Sequence, residues 1–324
     1  MTSSLNELYR EHTIKDKNVL YSGTGSKMKL LIYGAGVIGS LYAAAFAEAG
    51  YNTTVYARGE RLKALQTLGL QYEKNGKIHR ANVTVIGTLE NDDWYDFIFL
   101  MVKENQVHTA LQELKHNISP NIVTMVNTLE PYGNWERICG TGRIIPAFPG
   151  AGGSYENGIL NADFTPRIIQ VTTFAEINGN KSERLKKLAA LFTASNIPHG
   201  IVKDMHCWQL CHLAMVVSIA DAYYKAKNPE TVWKESSIMN ETVRQIKKNL
   251  QTLYRSGVKL SPPKMHLLRL LPVRILQHIF TLIFKSRFGY MFMYRHSMKA
   301  PDEMNRLHVQ FYRYLEEHTA NKLD

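Results

Sequence analysis

The stretch MKLLIYGAGVIGSLYAAAFAEAG, residues 28–50, decides the fold of this chain. Its first six residues are mostly apolar and have the length of a buried strand. Three glycines, Gly34, Gly36 and Gly39, follow at once, and an alanine-rich helix closed by Gly50 comes next. A strand that passes through a glycine-rich turn into a helix is the opening unit of a doubly wound sheet.

Strands then alternate with helices for about a hundred residues. Residues 52–57 and 122–126 have strand patterns, and residues 60–68 and 107–114 have helical patterns. The unbroken apolar run DFIFLMV, residues 96–102, is typical of a strand that is covered on both faces. The alternation predicts an α/β fold with an N-terminal Rossmann-type domain, built on a doubly wound parallel sheet.

The pattern changes beyond Gly150. The glycine-rich segment 149–154 predicts a loop, and residues 167–173 together with a few residues near Gly200 predict the last strands. After Asp204 only helical patterns follow, so the C-terminal domain is predicted to be all-helical. We therefore expect three parts: an N-terminal extension at 1–27, a Rossmann-type domain at 28–202, and a helical domain at 203–324.

Composition excludes several classes of protein. With 45% hydrophobic and 21% charged residues, the chain has a globular composition and is neither disordered nor fibrous. Three cysteines cannot make a disulfide framework, and residues 1–27 lack an apolar signal segment, so we expect a cytoplasmic protein. The apolar region 267–284 is interrupted by charged residues and is not expected to span a membrane.

The excess of positive charge is local. The net charge is +11, yet residues 242–301 alone contain twelve Lys and Arg and no acidic residue. The polar residues of 273–285 form one narrow stripe on an otherwise apolar helix, which predicts burial in its own domain or in a homodimer interface. A peripheral contact of 273–288 with a membrane is the alternative. Since no nucleic-acid motif accompanies the charge, no nucleic-acid partner is expected.

The glycine-rich turn also predicts a ligand. Gly34 allows the tight turn, Gly36 lets the backbone approach a pyrophosphate, and Gly39 lets helix and strand pack closely. The phosphates of such a ligand lie at the helix N-terminus. The predicted cofactor-binding loop consists of Gly34, Ala35, Gly36, Val37, Ile38 and Gly39. The sequence therefore predicts a dinucleotide-binding site.

The residue after the second strand indicates which dinucleotide binds. NAD enzymes usually carry Asp or Glu about 20 residues further on, where it binds the ribose 2′-hydroxyl. Here Arg58 stands 19 residues after Gly39, and its planar guanidinium suits a 2′-phosphate. Glu60 is the NAD-type alternative, although it lies at the start of the next helix. We therefore predict NADPH as the cofactor.

These segments carry a family resemblance. The sequences GAGVIGSLYAAAFAEAGYNTTVYARGERLKALQTLGL (34–70) and DFIFLMVKENQV (96–107), followed by Asn127 after a strand, resemble the ketopantoate reductase family. The resemblance implies that Lys103 and Asn127 contact the nicotinamide half of the cofactor or the substrate. It also implies hydride transfer to the carbonyl of a 2-oxo acid in a cleft between two domains.

The helical part departs from that family at one helix. The family pattern Trp-x-Lys-x-x-x-Asn-x-x-x-Asn stands here as Trp208, Leu210, Ala214 and Ser218. The lysine that the family uses as proton donor is therefore missing, and Ser218 replaces a substrate-binding asparagine. His212 is a candidate proton donor because histidine titrates near neutrality, but a helix places it about 200° from Leu210. The alternative is a structural histidine that packs in an interface between helices, with its ring nitrogens hydrogen-bonded there.

One more position of the family pattern is matched. Residues 301–304 (PDEM) resemble the start of the family's last long helix, with Glu303 at the position of its functional glutamate. Glu303 is thus a candidate for catalysis or substrate binding, and its position in a first helical turn is explained equally well by the helix dipole. The cysteines and histidines of 206–212 do not share one helix face, so no metal site is predicted.

Together these patterns predict an NADPH-dependent oxidoreductase that acts on a 2-oxo acid. The predicted catalytic residues are Lys103, His212 and Glu303, and the predicted substrate-binding residues are Ser218 and Glu303. Two alternatives stay open. One is an NADPH-binding sensor without turnover, favoured by the apolar Leu210 and Ala214, and the other is a membrane-associated reductase of an apolar carbonyl compound.

Overall fold

The structure is a computed structural model, which describes residues 27–299 and 301–320. The predicted N-terminal extension therefore lies outside the described residues, apart from its last residue, Lys27. The strands are β1 (Lys29–Tyr33), β2 (Asn52–Tyr56), β3 (Leu70–Lys74), β4 (Lys77–Ala81), β5 (Thr84–Ile86), β6 (Phe97–Leu100), β7 (Ile122–Met125), β8 (Ile144–Phe148), β9 (Ala151–Glu156), β10 (Ile159–Phe164), β11 (Thr172–Phe174) and β12 (His199–Ile201).

The helices alternate with the strands at first and then follow one another. They are α1 (Val37–Glu48), α2 (Gly59–Leu68), α3 (Val107–Glu113), α4 (Tyr132–Cys139), α5 (Glu183–Ala194), α6 (Met205–Lys225), α7 (Ser236–Arg255), α8 (Lys264–Leu270), α9 (Val273–Lys285), α10 (Arg295–Lys299) and α11 (Pro301–Ala320). Short 3₁₀ turns occur at Glu104–Gln106 and Pro229–Lys234, and a π-helical turn at Gly289–Tyr294.

Eight strands form the main sheet in the order β12-β11-β8-β7-β6-β1-β2-β5. All neighbours from β5 to β8 are parallel, whereas β11 runs antiparallel to β8. Helices α1 and α5 cover one face of the sheet, and α3 and α4 cover the other. The predicted doubly wound parallel sheet is confirmed, with one antiparallel step near its edge.

A second, smaller sheet was not expected from the sequence. It has the order β4-β3-β10-β9, and β9 begins inside the segment 149–154, for which the glycines predicted a loop. Glycine has a low strand propensity, but here Gly152 makes close packing feasible, because a Cβ at this position would overlap the ring of Phe292. The strand predicted at 167–173 is shorter and later, as β11.

From Met205 onward, every regular element that the structure describes is helical, as predicted. Asp204 caps the start of α6, since its carboxylate accepts a hydrogen bond from the Cys207 amide at 2.9 Å. Helices α6, α7, α9 and α11 share one apolar core. None of the described helices is both long and apolar enough to cross a membrane. The domain limits at 202 and 203 stay a prediction.

Candidate active site

The predicted cofactor residues follow four neighbouring strands of the main sheet. Tyr33, the last residue of β1, is paired with Tyr56 of β2 and with Leu100 of β6, which in turn is paired with Thr124 of β7. Because parallel strands end at the same edge, the residues that follow them lie side by side. The edge therefore brings together the glycine loop after β1, Arg58 after β2, Lys103 after β6 and Asn127 after β7.

The glycine loop has the space that a phosphate needs. Gly34 has a φ of +115°, and a Cβ there would overlap the carbonyl oxygen of Met101. A Cβ on Gly39 would overlap the carbonyl oxygen of Gly34, so both positions require glycine. By contrast, no atom lies within 4 Å of a Cβ built on Gly36, and no side chain caps the amides of α1. Open space beside uncapped amides fits a pyrophosphate.

Arg61, which the sequence pattern does not single out, supports this loop. The Arg61 Nε donates to the carbonyl oxygen of Ala35 at 3.0 Å, and its Nη2 donates to Ser40 Oγ at 3.3 Å. The same guanidinium donates to the Tyr155 hydroxyl and lies over its ring. Arg61 thus links α2, the glycine loop and β9. A contact of this kind cannot be read from the spacing of residues along the chain.

Arg58 is exposed and forms an ion pair. Its Nη1 donates to Glu113 Oε1 at 2.9 Å, and the other oxygen of Glu113 accepts from Tyr33 and Tyr56. The guanidinium is thus near the end of β2, where a ribose phosphate is expected. Glu60, the NAD-type alternative, pairs instead with Lys63 at 2.9 Å on the exposed face of α2.

Lys103 and Asn127 carry polar atoms without partners at this edge. The Lys103 side chain is exposed, and its ammonium takes part in none of the hydrogen bonds or ion pairs of the described residues. The Oδ1 atom of Asn127 is buried and has no hydrogen-bond partner. Buried polar atoms are normally hydrogen-bonded, so an orphan of this kind calls for a ligand. Both residues therefore fit the contacts that the family resemblance implies.

Gln209 holds the Asn127 loop in place. Its Oε1 accepts a hydrogen bond from the Thr128 amide at 2.7 Å, and its Nε2 donates to the Val126 carbonyl at 3.2 Å. These two bonds tie α6 to the residues on either side of Asn127, across about 80 positions of sequence. Gln209 is a positioning residue that the sequence analysis missed, because a buried glutamine on an apolar helix gives no signal of its partners.

Helix α11 also approaches the strand ends. Glu104, next to Lys103, accepts from Gln310 Nε2 at 3.4 Å and lies 3.9 Å from Arg306 Nε. Glu303 lies one turn before Arg306 and is half-buried. Desolvation lowers the pKa of His296 on α10, and the Glu303 carboxylate partly offsets this effect, which places the two side chains near each other. Glu303 thus lies on the helix that faces the cofactor edge.

His212 lies in an aromatic, buried environment. It stacks on Trp208 with ring centres 5.1 Å apart and contacts Phe148 at 4.4 Å. Burial lowers its pKa to about 3, and the positive charges of His296 and Lys264 act in the same direction. The expectation that it titrates near neutrality is therefore wrong. At pH 7 the ring is neutral, so it lacks the proton that the proposed role requires.

The position of Ser218 is set by helix packing. Its Oγ accepts from Asn249 Nδ2 at 3.2 Å and donates to the Ala214 carbonyl at 3.4 Å. Leu210 and Ala214, which replace the family's lysine and asparagine, are fully buried in the helical core. The helix face that carries polar groups in the family is therefore filled by apolar packing for most of its length.

Two cavities open beside α6. One of about 470 Å³ is lined by Trp208, His212 and Met215 together with the first turn of α8 and residues of β11 and β12. The other, of about 300 Å³, is lined by polar groups that include Ser218, Asp221 and His308. Among the residues that the structure describes, no group of three or more potential ligands could hold a metal ion.

The N-terminal part of the chain is similar in sequence to known proteins. Residues 30–159 match the family described as ketopantoate reductase PanE/ApbA. Over these residues the chain is similar to the ketopantoate reductase family. The 2-dehydropantoate 2-reductase of Mesorhizobium japonicum is 32% identical over 138 residues, which cover 42% of this chain and 38% of the relative. The Aquifex aeolicus enzyme is 27% identical over 189 residues, 55% of this chain and 57% of the relative.

A solved ketopantoate reductase structure extends the likeness to the whole fold. The 2-dehydropantoate 2-reductase of Geobacter metallireducens superposes with a TM-score of 0.63 and 14% identity, over 90% of this chain and 99% of that protein. The helical part thus keeps the architecture of a ketopantoate reductase. The sequence matches span about two fifths and just over half of the two curated relatives' lengths, and the matched family segment ends before α6.

Proposed function

We propose that this protein is an NADPH-dependent reductase that converts the carbonyl of a 2-oxo acid into an alcohol. The observation that carries the proposal is the glycine loop, with its open space at Gly36 and its uncapped helix amides. Arg58 and Asn127 support it from the two sides of this loop. The ketopantoate reductase family, whose relatives are oxidoreductases, supplies the reaction class.

Each of these residues would hold one part of the cofactor. The glycine loop would bind the pyrophosphate, Arg58 the 2′-phosphate, and Asn127 the nicotinamide half through its unpartnered Oδ1. When bound, the nicotinamide supplies a hydride to the carbonyl carbon. Gln209 keeps Asn127 in place by bonding to both of its neighbours. Pre-organisation of this kind reduces the cost of aligning the reacting groups.

A proton must also reach the oxygen of the reduced carbonyl. Neither Leu210 nor the neutral His212 can provide it. Lys103 can, because its ammonium lies at the end of β6 without a partner among the described residues. We therefore assign proton donation to Lys103. Its positive charge would also attract the carboxylate of a 2-oxo acid, and Glu303 lies on the facing helix to bind the rest of the substrate.

The substrate is expected to differ from ketopantoate. A substrate hydroxyl needs a hydrogen-bond partner, and a site without one rejects it because the buried polar group is left unpaired. Leu210 and Ala214 offer no such partner. Because both side chains are fully buried in the helical core, they give the substrate no hydrogen-bond partner, and a 2-oxo acid without that hydroxyl is expected to react better than ketopantoate.

The test is NADPH oxidation with a panel of 2-oxo acids that includes ketopantoate and apolar analogues. We expect turnover with the apolar members. Lys103→Gln is expected to lower kcat about a hundredfold or more, since positioned proton donors typically contribute that much. Exposed Lys115→Gln serves as the control and should not change kcat. NADPH binding without turnover of any substrate would contradict the proposal and favour the sensor alternative.

The cofactor preference gives a second prediction. Arg58→Ala is expected to weaken NADPH binding about 10- to 100-fold, because one or two charge-assisted hydrogen bonds to the 2′-phosphate would be lost. NADH has no such phosphate, so its binding should be unchanged. Glu113→Gln should have the opposite effect and strengthen NADPH binding a few-fold, because it removes the carboxylate that competes for Arg58. Titration of tryptophan fluorescence with each nucleotide measures both changes.

A matched surface variant controls for general loss of charge. Lys63→Ala removes an exposed cation from α2, the helix that follows Arg58, where Lys63 pairs with Glu60, and it should leave both affinities unchanged. Equal losses of NADPH and NADH binding in Arg58→Ala would mean that the arginine supports the loop and does not select the phosphate.

A further inference from the structure

Helices α8 and α9 present apolar side chains to the outside of the protein. On α9, Ile275, Ile279 and Leu282 follow one another at spacings of four and three, so they form one stripe along the helix. Ile275 is 49% exposed and Leu282 is 55% exposed. On α8, Leu267 and Leu270 are 56% and 67% exposed. Single exposed leucines and isoleucines are ordinary, but here five of them fall on two consecutive helices.

The outward stripe is separate from the side chains that build the core. The buried residues of α9 are Leu276, Phe280 and Phe284, which pack into the helical core. At 100° per residue their centre lies roughly 140° around the helix from the stripe. The helix is therefore apolar on two sides, and only one of them is used by the fold. No packing role within the described residues accounts for the exposed side.

Cations flank this stripe, and acidic groups are absent from the surrounding segment. Arg274 and Lys285 lie in the neighbouring sector of α9, and both are exposed. Arg274 and the exposed Arg287 take part in none of the ion pairs or hydrogen bonds of the described residues. Residues 242–301 hold twelve Lys and Arg without one Asp or Glu. The segment of sequence that carries the apolar side chains is therefore strongly basic.

We propose that the α8–α9 surface, residues 264–287, docks onto a membrane that contains anionic phospholipid. The apolar stripe would enter the interface between headgroups and acyl chains, and the flanking cations would contact the lipid phosphates. A second copy of this chain is a poorer occupant, because a symmetric contact would place two strongly basic segments against each other. An anionic surface complements the charge, and the helices would lie in the membrane plane.

Flotation of the purified full-length chain with lipid vesicles tests the proposal. We expect binding to vesicles of phosphatidylcholine with about one third phosphatidylserine to be at least tenfold stronger than to phosphatidylcholine alone, and to weaken in high salt. Ile275→Glu/Leu282→Glu should lower this binding at least tenfold. Arg274→Glu/Lys285→Glu, which leaves every apolar side chain in place, should lower it as well.

A matched pair of substitutions on the other half of the protein is the control. Ile78 is 60% exposed on β4 and Ile118 is also exposed, so Ile78→Glu/Ile118→Glu adds the same charge and should float like the wild type. Circular dichroism checks that each variant is folded. The proposal is overturned if the wild-type protein does not bind anionic vesicles, or if it binds neutral vesicles as strongly as anionic ones. A wild-type dimer that the α9 variant converts to a monomer overturns it in favour of a second copy.

Discussion

Gly36→Val is expected to fold normally and to lose NADPH binding by at least a hundredfold. A Cβ at this position meets no protein atom within 4 Å, so the unliganded fold has room for the new side chain. The isopropyl group would instead occupy the space in which a pyrophosphate approaches the amides of α1. Isothermal titration with NADPH measures the loss, and the thermal midpoint reports the fold.

Gly39→Val is the matched variant, with the opposite expectation. Here the Cβ would overlap the carbonyl oxygen of Gly34, and Ile32 lies next to it, so β1 and α1 must separate. Overpacking of this kind costs about 1–3 kcal/mol or more. We expect a clearly lower thermal midpoint for Gly39→Val and little change for Gly36→Val. Tight NADPH binding by Gly36→Val would show that the phosphates do not lie at this loop.

The second large effect concerns stability in acid. The His212 pKa is about 3 in the folded protein, against an ordinary value of 6.5 in the unfolded chain. Below pH 6.5 the unfolded chain therefore binds a proton that the folded protein does not, and stability falls as the pH drops toward 3. The loss is about 1.4 kcal/mol per pH unit, or about 2.7 kcal/mol at pH 4.5. Above pH 6.5 this residue makes no contribution to the pH dependence.

Urea unfolding of the wild type and of His212→Gln at pH 7.5 and pH 4.5 measures this effect. Glutamine does not titrate, so the free energy of unfolding should fall by about 2.7 kcal/mol less in the variant than in the wild type. The exposed His116→Gln is the control and should follow the wild type. If the free energy of unfolding fell equally in the wild type and in His212→Gln, the pKa of His212 would not be lowered in the folded protein.

The sheet was predictable because its signals are local. The apolar runs before Gly34 and before Lys103 are long enough to identify buried strands. The glycine loop predicts that the chain passes from the first strand directly into a helix. The β9–β10 hairpin was not predictable, because Gly152 carries no strand signal and is needed there only to let Phe292 approach. That requirement arises from a residue about 140 positions away.

The site was predictable in part for a similar reason. The positions of Arg58, Lys103 and Asn127 follow from the rule that ligands bind beyond the carboxyl ends of parallel strands. The environment of His212 depends on tertiary burial between Trp208 and Phe148, and no spacing along α6 reveals it. The roles of these residues in binding and catalysis stay predictions until the variants above are measured.

The contact between Gly152 and Phe292 has a consequence for how this protein could be altered. It joins the smaller sheet to the helical half of the molecule, and an ion pair between Glu156 and Arg295 at 3.0 Å lies beside it. A side chain at position 152 would overlap the ring of Phe292, so that ring would have to move. A substitution at position 152 would therefore disturb the junction between the smaller sheet and the helical half without replacing any predicted cofactor or substrate residue.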